Sequence, residues 1–427
     1  MNTRKRALVA LTAALSLLSI AACGRDDTAD PGEEPAGGES SEIAEGPATG
    51  SLEVWAMGAE GEKLPELAEA FMAENPDLEI NVTPVPWESA HDKFTASIAA
   101  GTAPDLAQVG TTWMGEFVAL DALDPTPALI DQGKFFEGAQ QTTMVNETSY
   151  AVPWYVETRL VFYRTDLAEQ AGITETPSDW EGLKEMAKAY QDNGAEWGIN
   201  LQPGGTGSWQ TVLPLMWSNG GSITTEDGSE FAFDSEENVE ALTYFQSYFT
   251  DGIANTAPTQ GTTEADFASG AVPMFISGPW MMAAVEAAGG EGFADKYDVM
   301  PMPEAEISAS FIGGSNLAVF KNSENRDAAW KFVDYLTQEE TQVEWFGLTT
   351  DLPSVQAAWD DDSLSGNEML SKFGTQLETA FAPPSIQTWE QIANAFDSQV
   401  EQVAKADLDP AEAMAAIQQE ATSIGMG

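Results

Sequence analysis

Cysteine is all but missing: Cys23 is the only one in 427 residues. An intramolecular disulfide is excluded, and a thiolate metal site or catalytic thiol has no support. Histidine is as scarce. With His91 alone, a two-histidine zinc site and an HExxH helix are both ruled out. Positive charge is short too, with 17 Lys and Arg against 69 Asp and Glu and a net charge of −52. A field of that sign repels phosphate backbones and anionic lipid, so nucleic acid is not a partner. The Gly-rich stretch Gly204–Ser208 (GGTGS) lacks the Gly-Lys-Ser/Thr of a phosphate loop, and no Gly-x-Ser-x-Gly elbow occurs. Neither a cofactor nor a metal is called for. A carboxylate pair able to cleave a glycoside stays open, because separation in space defines such a pair.

What is present begins with the amino terminus. Arg4, Lys5 and Arg6 precede the apolar run Ala7–Ile20, and Ile20-Ala21-Ala22-Cys23 follows as a small-residue cleavage site. This resembles a bacterial lipoprotein signal, which implies a leader over 1–22 and lipidation of Cys23 as the sole membrane anchor; the alternative is an ordinary secretory peptide with an incidental cysteine. Residues 23–50, acidic and rich in Pro, Gly and Ser, predict a flexible, self-repelling tether.

From Ser51 strands and helices alternate. Strands are predicted over Ser51–Ala56, Leu78–Val85 and Asp105–Val109, and helices over Lys63–Glu74 and Trp87–Ala100, the second ending at Gly101. Short connections imply a mostly parallel sheet with helices on both faces. Gly198–Leu201 reads as a strand, and Leu370–Ala382 as a helix. In Asp266–Met282 (DFASGAVPMFISGPWMM), Gly270 stops a short helix, Ala271–Ser277 reads as a buried strand, and Gly278-Pro279 breaks it ahead of a helix over Met281–Ala288. Trp280 is thus delivered at a strand-to-helix junction, where crevices for ligands form in α/β folds.

Phe267-x-x-Gly270, Met274 and Gly278-Pro279-Trp280, together with Gly101-Thr-Ala-Pro104-Asp105 and the order of the elements over 51–427, resemble the extracellular solute-binding proteins, family 1, of ABC-type sugar importers. The resemblance implies an α/β, two-lobed periplasmic-binding-protein type II fold with three interlobe crossings and a ligand cleft between the lobes, Ala151–Tyr163 being the single strand that makes the first crossing. Lobe one would comprise 51–157 and 313–361, and lobe two 158–312 and 362–427. It implies a monomer outside the cytoplasm that binds a di- or oligosaccharide and hands it to the transmembrane subunits of an ABC permease. The competing readings are a secreted glycoside hydrolase and a ligand-sensing module on the same fold.

Thirteen tryptophans favour carbohydrate: an indole covers the C–H face of a sugar ring while Asp, Glu, Asn and Gln take its hydroxyls. Trp55, Trp113, Trp154, Trp209 and Trp280 fall at predicted strand ends, with core packing as the alternative for each; Trp180, Trp197, Trp330 and Trp359 are assigned to packing. Carried over residue by residue, the resemblance makes Trp280 the main stacking platform, with Gly278 beside it. It places Trp209 and Gln210 on a cleft-facing loop of lobe two. Thr112 and Trp113 match cleft positions of lobe one where one member of the family carries a charged pair, a departure that implies a different sugar. Glu157 matches an acidic position at the crossing, with an ion pair to Arg159 as the alternative. Glu88 and His91 lie where lobe one supplies acidic ligands, His91 being otherwise a solvated helix residue. Ser315 and Asn316 either meet the ligand or satisfy hinge backbone, and Asp351 and Trp389 complete the set.

Overall fold

The computed structural model describes residues 42–427, with the Glu88 side chain left out. The expected leader and Cys23 lie outside the described residues. The end of the expected tether is docked: Ala48 donates its backbone N–H to Asn75 Oδ1 at 2.7 Å, and Lys331 Nζ donates to the Gly46 carbonyl at 2.9 Å. Ile43 and Ala48 supply the apolar contact that holds this segment against the body.

The principal elements of the first part are β1 (Gly50–Met57), α1 (Gly58–Glu74), β2 (Leu78–Val85), α2 (Trp87–Ala100) and β3 (Leu106–Gly110). Gly101 closes α2 at φ +67°, a left-handed value that glycine adopts without strain. α1 starts five residues earlier than its apolar spacing predicts, and Pro65 lies inside it. The early turn is possible because a Cβ on Gly61 would stand 2.6 Å from the Ala56 carbonyl oxygen, so only glycine lets the helix lie on the end of β1.

The expected single strand over Ala151–Tyr163 is two, β4 (Val152–Thr158) and β5 (Leu160–Arg164), which belong to different sheets. Thereafter come α3 (Trp180–Asp192), α4 (Trp209–Ser218), α5 (Glu236–Thr250), α6 (Thr263–Ser269), β6 (Met274–Ser277), α7 (Trp280–Gly289), β7 (Tyr297–Met300) and β8 (Ser310–Val319). The chain closes with α8 (Arg326–Leu336), α9 (Glu339–Thr349), β9 (Leu352–Pro353), α10 (Glu368–Leu377), β10 (Ala380–Phe381), α11 (Trp389–Ala406) and α12 (Pro410–Ile424). Gly198–Leu201 forms only a bridge, Asn200 to Phe275, and the helix predicted to Ala382 ends at Leu377.

The larger sheet has the order β9-β4-β8-β3-β1-β2, with β10 paired to β8. β1 runs parallel to β2 and β3, whereas β8 is antiparallel to both β3 and β4. The carboxyl ends of β1, β2, β3 and β4 therefore share one edge, the edge at which ligand crevices form. The smaller sheet, β6-β5-β7, is antiparallel throughout, unlike the parallel expectation. The chain passes between the sheets at Arg159, again between β7 and β8, and a third time between β9 and α10, whose Lys372 bonds Asp298 and the Val299 carbonyl of the smaller sheet. The molecule is a two-lobed α/β fold of the type II periplasmic-binding-protein kind, with the cleft between the lobes.

Candidate ligand-binding site

Register brings the start of β5 beside the end of β6 in the smaller sheet. Leu160 pairs with Ser277, so Arg159, just before β5, lies next to Gly278-Pro279-Trp280, just after β6. Pro279 is the N-cap of α7, and Trp280 is its first residue, one position earlier than predicted. Trp280 is 44% exposed, far more than most large apolar side chains of this chain. Its indole folds back over Gly278 so closely that a Cβ there would fall 1.8 Å from a ring carbon. The Arg159 guanidinium sits 5.7 Å from the Trp280 ring centroid and equally far from that of Phe311, within reach of a cation–π attraction. Its Nη2 donates to Gln210 Oε1 at 2.6 Å and lies 3.6 Å from Glu157 Oε1. The ion pair weighed at the crossing is thus present.

Close to Glu157 is an acidic cluster of Glu60, Asp351 and the Tyr155 phenol. Glu60, buried, accepts from Tyr155 Oη at 2.7 Å and from Gln108 Nε2 at 3.4 Å. Burial, with the nearby charge of Glu60, pushes the Asp351 carboxyl up to about 7, and its Oδ2 is buried without a hydrogen-bond partner. Burial and the same carboxylates raise the Tyr155 phenol well above its ordinary value. A cluster of acceptors beside a carboxyl that burial shifts toward its protonated form suits the mixed donors and acceptors of a polyol.

A second aromatic group lies on lobe one. Trp87, 38% exposed, opens α2 directly after Pro86. A Cβ on Gly58, where φ is +54°, would come within 2.8 Å of its ring. Trp113 stands edge-on to Trp87 at 6.2 Å and to His91 at 5.3 Å. His91 Nε2 is 2.7 Å from Glu116 Oε2, and its ring stacks on Phe117. His91 is therefore a paired member of this group and not a lone surface residue. Thr112 is half-buried on the same turn, and the Glu88 side chain lies outside what is described.

Several expected ligand residues are core instead. Trp154 is fully buried and stacks on Trp345 at 4.5 Å. Trp209 and Trp389 are buried edge-on to each other at 5.2 Å. Asp397 Oδ1 accepts from the Trp209 backbone N–H and from Ser208 Oγ, both at 2.8 Å, which draws the start of α4 inward. Trp55 packs on Phe94 and carries Lys93 Nζ 3.8 Å from its ring centroid. Ser315 Oγ donates to the Val109 backbone carbonyl, as the backbone alternative expects, and Asn316 Nδ2 donates to the buried Thr142 Oγ1. Trp154, Trp209 and Trp389 offer no free face to a ligand, whereas Trp55 is partly exposed.

Sequence reading missed Trp87, Glu60 and Tyr155, and it considered Arg159 only as the partner of Glu157. Trp87 carried the same signal as Trp280, a proline-preceded tryptophan where a strand gives way to a helix. Glu60 was lost with the late start of α1. Among the described residues, no group of three or more His, Cys, Asp or Glu could hold a metal ion.

The profile of the bacterial extracellular solute-binding proteins matches residues 56–343, and the chain belongs to that family. A galactooligosaccharide-binding protein of Bacillus subtilis is 25% identical, covering 97% of this chain and 96% of its own. A maltotriose-binding protein of Pyrococcus abyssi is 25% identical, covering 80% and 75% respectively. The solved structure of the sugar-binding protein MalE from Xanthomonas citri superposes with a TM-score of 0.83 at 28% identity, over 88% of this chain and 97% of that one. All three are binding proteins and not enzymes, which sets the hydrolase reading aside.

Proposed function

We propose that this protein captures a di- or oligosaccharide between its lobes outside the cytoplasm and delivers it to an ABC permease. The observation that carries the reading is the exposed Trp280 platform, fixed over Gly278 and flanked by Arg159, Gln210 and Glu157. Trp280 would cover one sugar face, and the rim groups would take its hydroxyls. Trp113 and Trp87, with His91 beside them, would face the ligand from lobe one, and Glu60 and Asp351 would meet hydroxyls at the base. A ligand that touches both lobes only when they close stabilises the closed state. The proposed lobe division is 51–157 with 313–361 against 158–312 with 362–427. The proposed anchor is a lipid on Cys23, and a Cys23→Ser chain found in the membrane fraction as fully as the wild type would refute it. The sugar specificities of the relatives from Bacillus subtilis and Pyrococcus abyssi support the ligand class.

The test is a titration of intrinsic tryptophan emission with maltose, trehalose, cellobiose, chitobiose, xylobiose and their longer homologues, each sugar being recovered and assayed for cleavage. A saturable change with intact sugar is expected for one class. Flat emission for every sugar, with no heat on calorimetric titration, defeats the carbohydrate reading.

A further inference from the structure

Among the described residues, only Trp87, Trp197 and Trp280 of the thirteen tryptophans join none of the apolar clusters. Trp87 and Trp280 are already placed in the proposed sugar site. Trp197, expected to pack, is half-buried, yet its ring meets no other ring and no cation, and its indole N–H has no acceptor in the protein. Burial of a tryptophan normally gives its ring apolar neighbours and its N–H a partner; here no cluster supplies the first and no acceptor the second. The ring instead borders a cavity of about 180 Å³ beside the smaller sheet, closed by the loop ahead of α6 and by the residues that lead into β6. That is smaller than the roughly 300–1,000 Å³ of pockets for drug-sized ligands, so its occupant is compact.

The cavity is preformed and set apart from the cleft. The Glu196 and Trp197 backbone N–H groups both donate to the Ala271 carbonyl, at 2.9 and 3.2 Å, and the Asn200 N–H donates to the Met274 carbonyl at 2.8 Å. These bonds hold the segment that carries Trp197 against the entry of β6, whereas Gly278 and Trp280 follow its far end. Asn200, Thr263 and Phe275 line both this cavity and the hollow on the Arg159 side, and Asn200 Nδ2 donates to Thr263 Oγ1 at 3.1 Å. A braced partition thus stands between the cavity and the Trp280 platform.

The lining has one sign of charge. Glu196 and Asp266 supply carboxylates, and no lysine, arginine or histidine lines the cavity. Asp266 accepts from Thr262 Oγ1 at 2.6 Å and lies in the first turn of α6, where it answers the helix's positive end. Glu196 has no ion-pair partner among the described residues. Around the Trp197 ring, Pro258, Val272, Met274 and Phe275 present apolar surface. Anions are turned away both by this lining and by the net charge of −52. A bare metal ion would leave the ring and the apolar walls unused. A nitrogen cation clothed in methyl groups uses every part: the indole face attracts its charge, the walls take its methyls, and the carboxylates balance it. We propose that this cavity is a ligand site, separate from the sugar cleft, for a compact methylated ammonium ion.

The experiment is a calorimetric titration of the full chain with choline chloride, with tetramethylammonium chloride, and with dimethylbutanol, the uncharged carbon isostere of choline, at an ionic strength held constant with sodium chloride. Saturable binding of both cations is expected, with the alcohol weaker by about tenfold or more. Trp197→Leu should weaken choline by about tenfold and leave the sugar titration within about twofold of the wild type. Should Trp197→Leu fail to melt cooperatively, Glu196→Gln at an exposed position gives the second reading, with a loss of about threefold expected for choline and none for dimethylbutanol. The site is overturned if neither cation gives saturable heat, if the alcohol binds as well as choline, or if choline binding is unchanged in both variants. Choline binding lost in Trp280→Ala would place the cation in the sugar cleft and overturns it as well.

Discussion

At the scale of single residues, two side chains give readouts of their own. Trp280 contributes a large ring face, and aromatic anchors of this kind cost about 2 kcal/mol or more when truncated. Trp280→Ala should therefore raise Kd for the bound sugar roughly thirtyfold with the unfolding midpoint nearly unchanged, as measured by calorimetric titration and thermal melts. Asp351 concerns stability. Its folded-state carboxyl keeps its proton to about pH 7, whereas in the unfolded chain it ionises near 4. Below that lower value both states are protonated and the group is neutral to folding. As pH rises through the interval, only the unfolded state gains by releasing the proton, so stability falls until about pH 7 and stays lower above it. Asp351→Asn removes this loss and offers an amide donor near Glu60 and Glu157. Its melting temperature should exceed the wild type's by a few degrees at about pH 8 and converge with it at about pH 4. Parallel curves across that range would show that Asp351 does not titrate there.

At the scale of elements, the junction between α11 and α4 is the most exposed to test. Asp397 receives the Gly207 and Trp209 backbone N–H groups and the Ser208 hydroxyl, and it is itself buried. Asp397→Ala orphans these donors at a helix start, a loss of about 3 kcal/mol, to be read from denaturant midpoints. It should also quench or redden the emission of Trp209 as that ring loosens. The elements themselves were partly legible. β2 and α2 could be read to the residue because Pro86 and Gly101 punctuate them. The start of α1 could not, since no periodicity records that Gly61 lies against a carbonyl. Nor could the break at Arg159, where two apolar strands adjoin and only their partners separate them. For the site, the Gly-Pro-Trp motif exposed Trp280, but burial of Trp154 and Trp209 depends on Trp345, Trp389 and Asp397, which are remote in the chain.

At the scale of the whole molecule, two sheets joined by three passages make hinge closure the expected response to ligand. Small-angle scattering should show a smaller radius of gyration at saturating sugar, and Trp280→Ala should need proportionately more sugar to reach the same value. An unchanged radius at full occupancy would argue for a cleft that binds without closing. The net charge of −52 acts across the same cleft, since like-charged lobes repel. Added salt, by shortening the reach of that repulsion, should shift the titration toward tighter binding.

Gly278 carries a consequence of another kind. Because its missing methyl is what lets the indole of Trp280 settle, the platform's tilt is encoded by an absent atom and not by any contact a ligand could strengthen. Among relatives, a small side chain gained at this position would leave the tryptophan in the sequence yet turn it aside, so an intact motif letter would conceal a changed diet.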